Sequence, residues 1–151
     1  MFNYWKNEVK NIKNKNMANS YAKQYASVDM IKEIAKKMYE CYLTIIENQI
    51  NKMDMNECQF SITYTLSRSG VLFVKEECSA VDVKYKEWGY EAIEDEVKRL
   101  GVAMALRDIV VPAIEKCSVV KSINADISER YGWVDVTMNI KVSQGNKLKT
   151  L

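Results

Sequence analysis

The chain is 151 residues long, with 22 lysines and arginines against 20 acids and no histidine. Apolar residues make up 48% and charged residues 28%, which is enough to bury a core without disulfide or metal staples and excludes disorder for most of the length. The missing histidine excludes Ser-His-Asp and Cys-His catalysis and removes the commonest zinc ligand.

Four cysteines stand at Cys41, Cys58, Cys78 and Cys117. No pair has CxxC spacing, so neither a zinc ribbon nor a thioredoxin-type motif is present. The N-terminal Met-Phe-Asn-Tyr-Trp-Lys turns polar at once, with no apolar stretch of signal-peptide type, and no apolar run approaches a membrane span. These features predict a cytoplasmic chain with reduced thiols. Eighteen lysines to four arginines, with 12 asparagines, 13 isoleucines and one proline, is a bias toward A/T-rich codons. It points to a low-GC bacterium or one of its phages.

Along the chain, Phe2, Trp5, Val9 and Ile12 recur at helical spacing, with Lys6, Lys10, Lys13 and Lys15 largely off that stripe. The Asn-Lys alternation at 11–16 is poor helix material and is expected to fray. Residues 1–16 are therefore read as a separable basic amphipathic arm, 17–143 as one α+β domain and 144–151 as a flexible tail. A long helix is predicted from Ser27, its cap, to about Met53, with Ile31, Ala35, Met38, Tyr42 and Ile45 on its apolar face.

The period then becomes two. Cys58, Phe60, Ile62, Tyr64 and Leu66 alternate with Gln59, Ser61, Thr63, Thr65 and Ser67, the pattern of a half-buried strand. A turn at Arg68-Ser69-Gly70 leads to a second strand over Val71–Glu76 and a third over Ala80–Lys86. A second long helix is expected over about Glu91–Lys116, kinked or ended by Pro112. Strands over Val119–Ser128 and Trp133–Val142 close the chain across a turn at 129–132. The predicted fold is α+β, an antiparallel five-stranded sheet with two long helices packed on one face, in the order α-α-βββ-α-ββ. At the level of element order this resembles the type III secretion chaperones, from which it differs by the basic arm and the lack of a last helix.

Three groups of residues are candidates for function. Residues 76–96 hold eight acids and two lysines, and Glu87, Glu91, Glu94, Asp95 and Glu96 form a candidate acidic docking surface. An ordinary preference for acid at a helix start explains them as well. The arm offers Phe2, Trp5, Lys6, Lys10, Lys13 and Lys15, a cation–aromatic mixture suited to single-stranded nucleic acid or to packing on its own domain. Trp133 and Asp135 mark the outward face of the last strand, where an exposed tryptophan can anchor a partner.

No glycine-rich phosphate loop appears among the five glycines, so no cofactor is expected, and no metal site is assigned. The leading reading is a non-catalytic protein-binding factor: an adaptor, chaperone or inhibitor, with a homodimer expected from its long helices. One version is a phage-type inhibitor of a host defence nuclease acting through the acidic surface. The alternatives are a nucleic-acid-binding accessory protein using the arm, and a metal-dependent enzyme using the acidic cluster.

Overall fold

The computed structural model describes residues 2–52, 54, 56–67, 71–76, 86–89, 93, 95–130 and 133–143; for 2–13, 71–76, 86–89 and 130 it describes the backbone alone. The elements are α1 (Phe2–Tyr25), α2 (Asp29–Lys52), β1 (Glu57–Leu66), β2 (Val71–Glu76), β3 (Lys86–Gly89), α3 (Glu96–Glu115), β4 (Val120–Arg130) and β5 (Trp133–Ser143). The chain is α+β, with helices against an antiparallel sheet ordered β3-β2-β1-β5-β4.

The sheet is less even than the five-strand platform expected from sequence. Its substantial part is the antiparallel set β1, β5 and β4, in which ten consecutive residues of β1, Glu57 to Leu66, pair with Ser143 to Val134 of β5. The third strand is a four-residue β3 at Lys86–Gly89, later than the expected Ala80–Lys86, most of which lies outside the described residues, as does the Arg68-Ser69-Gly70 turn.

Helices number three among the described residues, not two plus a frayed arm. α1 runs unbroken through the Asn-Lys alternation and past residue 16, where the sequence places the end of the arm. Ser27 does not cap α2: its hydroxyl donates to Gln24 O at 2.9 Å, closing the end of α1, and the first α2 bond is accepted by Val28 O from Lys32 N. α3 starts at Glu96, five residues later than expected, and continues through Pro112 to Glu115.

Period-two alternation sends Phe60, Ile62, Tyr64 and Leu66 of β1 and Val134, Val136, Met138, Ile140 and Val142 of β5 into one buried layer. α2 meets it with Ile31, Ile34, Ala35, Met38, Tyr42 and Ile46. α3 lies beside α2, and Tyr64 Oη donates to Ala103 O across the layer at 2.7 Å. α1 rests chiefly on α3. The crossing is close because Ala18 and Ala22 face Gly101, where an added Cβ would stand 2.5 Å from Tyr21 Cβ.

Candidate functional site

α2 and α3 pack on the apolar side of β1, β5 and β4, and the opposite side of these strands is built from the other parity of each. Antiparallel registry sets its polar side chains in rows: Ser61 beside Asn139 and Asn124, Thr63 beside Thr137 and Asp126, Thr65 beside Asp135 and Ser128. Cross-strand neighbours at this spacing interact directly, and here they bond along each row. Ser61 Oγ donates to Asn139 Oδ1 at 2.7 Å, and Asn139 Nδ2 donates to Asn124 Oδ1 at 3.0 Å. Thr63 and Thr137 share a hydroxyl bond of 3.0 Å. Thr65 Oγ1 donates to Asp135 Oδ1 at 2.5 Å.

The rows make a polar layer whose side chains are already held in place, and Thr63 in its middle row is buried. Asp135 is only 8% exposed, while Trp133, two residues earlier on the same face, is 49% exposed. At the far end of the strands Glu57 accepts from Lys121 and from Lys141, the latter at 3.2 Å. The Lys121 bond, then that of Lys141, holds the Glu57 carboxyl below its usual range.

The sequence-derived candidates distribute unevenly. Trp133 and Asp135 fall together on this surface. Asp95 is the N-cap of α3, its Oδ1 accepting from Val97 N at 2.9 Å and Lys98 N at 3.1 Å. Glu96 follows in the first turn and is exposed. Glu91 and Glu94 lie outside the described residues, and Glu87 is described in its backbone within β3, so of these five the side chains of Asp95 and Glu96 alone are described. Phe2, Trp5, Lys6, Lys10 and Lys13 are described in their backbone, all on α1, and Lys15 is exposed on the same helix.

Sequence reading missed two things. It placed Trp133 and Asp135 on the outward face of the last strand but had no means of setting β1 beside β5, so the Ser61, Thr63 and Thr65 contacts went unseen. It also missed a cavity of about 490 Å³ between helices and sheet edge, with walls from Lys15 of α1, Leu100, Met104 and Arg107 of α3, and Ala125 to Ile127 of β4. No local pattern announces it, since three elements distant in sequence build it.

Among the described residues no group of three or more cysteines and acids is placed to hold a metal ion, and no helix is long and apolar enough to cross a membrane. No family model, curated protein or solved structure matches the chain.

Proposed function

We propose that the protein is a non-catalytic binding factor that docks a folded protein partner on the outer face of β1, β5 and β4. The observation that carries this reading is the pre-ordered polar surface with Trp133 standing out of it. Side chains already locked in cross-strand bonds lose little rotamer freedom on association, which lowers the cost of binding. An exposed tryptophan beside such a surface has the character of an interface anchor. Its charges are of both signs, Glu57, Asp126 and Asp135 against Lys121 and Lys141, which suits a protein better than a polyanion.

Inhibition of a host defence nuclease through an acidic surface is a narrower form of the same proposal. It is supported by the exposed Asp95 and Glu96 at the start of α3 and by the acid-rich composition of residues 76–96. The nucleic-acid reading draws on the exposed Lys15 and Lys23 of α1, but Lys98 stands 5.7 Å from the Tyr21 ring centroid, which occupies one aromatic face that a base would stack on.

The test is affinity capture on the tagged full chain from lysate of a low-GC host, after nuclease treatment and washing at graded salt. A discrete protein is expected to stay bound, and Trp133→Ala is expected to weaken it by about 2 kcal/mol or more, roughly thirtyfold. Retention of that protein undiminished by both Trp133→Ala and Thr137→Lys defeats the outer-face reading. Nucleic acid that washes off with salt, in place of any stoichiometric protein, favours α1 as the binding element.

A further inference from the structure

α1 changes its apolar side midway along its length. In the second half, the side that meets α3 carries Ala18 and Ala22, both buried, with Tyr21 and Tyr25 half-buried beside them. Asn14, also half-buried, lies on this side in the wall of the cavity shared with Leu100 and Met104. In the first half, Phe2, Trp5, Val9 and Ile12 are spaced by threes and fours, which makes one row along a helix. Because α1 is unbroken from Phe2 to Tyr25, that row continues at the same spacing through Asn16, Asn19 and Lys23, and all three are exposed. The register therefore sets the four apolar positions on the side of α1 away from Ala18 and Ala22.

Charge is concentrated on the same helix. α1 holds five lysines and one acid, Glu8. Lys6, Lys10 and Lys13 recur by four and three, so they form a second row next to the apolar one. A lysine row beside an apolar row that contains phenylalanine and tryptophan is the make-up of a helix lying in a membrane interface. Such a helix rests on the bilayer and does not span it, and no helix among the described residues is long and apolar enough to cross.

We propose that α1 binds the surface of an anionic lipid bilayer through Phe2, Trp5, Val9 and Ile12, with Lys6, Lys10 and Lys13 meeting the lipid phosphates. Other occupants fit this arrangement less well. A second copy would set lysine row against lysine row, and four apolar residues cover two heptads, short of the three or so that sustain a coiled coil. A protein groove that takes up an amphipathic helix encloses much of its girth, and α3 already lies along one side of α1; a bilayer needs only the outward side. Single-stranded nucleic acid stacks on aromatic faces, which Val9 and Ile12 lack. This inference goes beyond the outer-face reading and is independent of it.

The test is flotation of the full chain with vesicles of phosphatidylcholine alone, or of phosphatidylcholine and phosphatidylglycerol in equal parts, at graded salt. The mixed vesicles are expected to bind about tenfold more tightly or better at low salt, and to lose that preference as salt rises. Val9→Gln with Ile12→Gln keeps every lysine and is expected to weaken binding about tenfold, whereas Val9→Leu with Ile12→Leu is expected to retain it. Replacing Lys6, Lys10 and Lys13 together by glutamine is expected to abolish the preference for mixed vesicles, and Trp133→Ala, which tests the outer face, to leave vesicle binding unchanged. Absence of flotation at millimolar lipid, or undiminished flotation of the Val9→Gln, Ile12→Gln chain, overturns the proposal. Retention of a single-stranded oligonucleotide without flotation overturns it in favour of nucleic acid. A dimer in sedimentation that Val9→Gln with Ile12→Gln converts to monomer overturns it in favour of a second copy.

Discussion

Tyr42 and Tyr64 are both fully buried, yet their hydroxyls stand in opposite situations. Tyr64 donates to Ala103 O, whereas Tyr42 Oη has no partner among the described residues. Tyr64→Phe is therefore expected to cost about 1 kcal/mol, the net worth of one buried hydrogen bond, and Tyr42→Phe to be neutral or mildly stabilising because it removes an unsatisfied polar atom. Parallel urea titrations check the contrast. Burial lifts both phenols well above their ordinary value. A raised folded-state pKa means that this stability is complete below the unfolded phenol value, about pH 10, and is lost as pH rises from there toward the folded value. Melting temperature is expected to fall through that alkaline range, and the fall to be smaller in a Tyr42→Phe, Tyr64→Phe double variant. Asp95 belongs to this scale as well. It satisfies two orphan amides of α3, and Asp95→Ala is expected to cost about 1 kcal/mol by the same titration.

At the scale of elements, α3 is the centre of the helix layer. Val102, Ala103, Met104, Ala105 and Leu106 are buried in succession, because α1, α2 and the sheet surround the helix on its several sides. A helix apolar all round is a buried one, and that run was visible in the sequence; what it packs against was not. Gly101 shows why. It permits Ala18 O and Ala22 N each to approach within 3.2 Å of where a Cβ would stand, and backbone of another helix at that range cannot yield as a flexible side chain would. Gly101→Val is expected to destabilise by about 2–3 kcal/mol and to expose α1 to protease in limited digestion. Cleavage no faster than in the native chain would show that the crossing tolerates the added bulk. α1 itself illustrates propensity overridden by packing: the Asn-Lys alternation weakens a helix in isolation, while Ala18 and Ala22 are held against α3.

At the scale of the whole molecule, β1 and β5 are joined along their lengths and covered by α2 and α3, while α1 leans chiefly on α3. Stability is therefore uneven. Native-state hydrogen exchange is expected to show the α1 amides opening at lower free energy than those of β1 and β5, with α3 between them; equal opening energies would mean that α1 unfolds only with the sheet. The face assigned to binding lies on the side of the sheet opposite the one that α2 and α3 cover.

What the sequence by itself determined is local periodicity and its chemical content. Strict alternation in 58–67 and 133–142 establishes two strands with one apolar and one polar side, the stripe from Ile31 to Ile50 establishes a helix, and the absence of histidine removes whole classes of mechanism. These follow from neighbours a few residues apart, whose relation is set by the geometry of the element itself. Only the tertiary structure decided that β5 lies between β1 and β4, that the Ser61, Thr63 and Thr65 hydroxyls bond to it, and that Asp95 closes a helix end. Each of these joins residues separated by tens of positions, and strand order and helix crossing depend on how whole elements bury their apolar faces together, a condition that no local pattern contains.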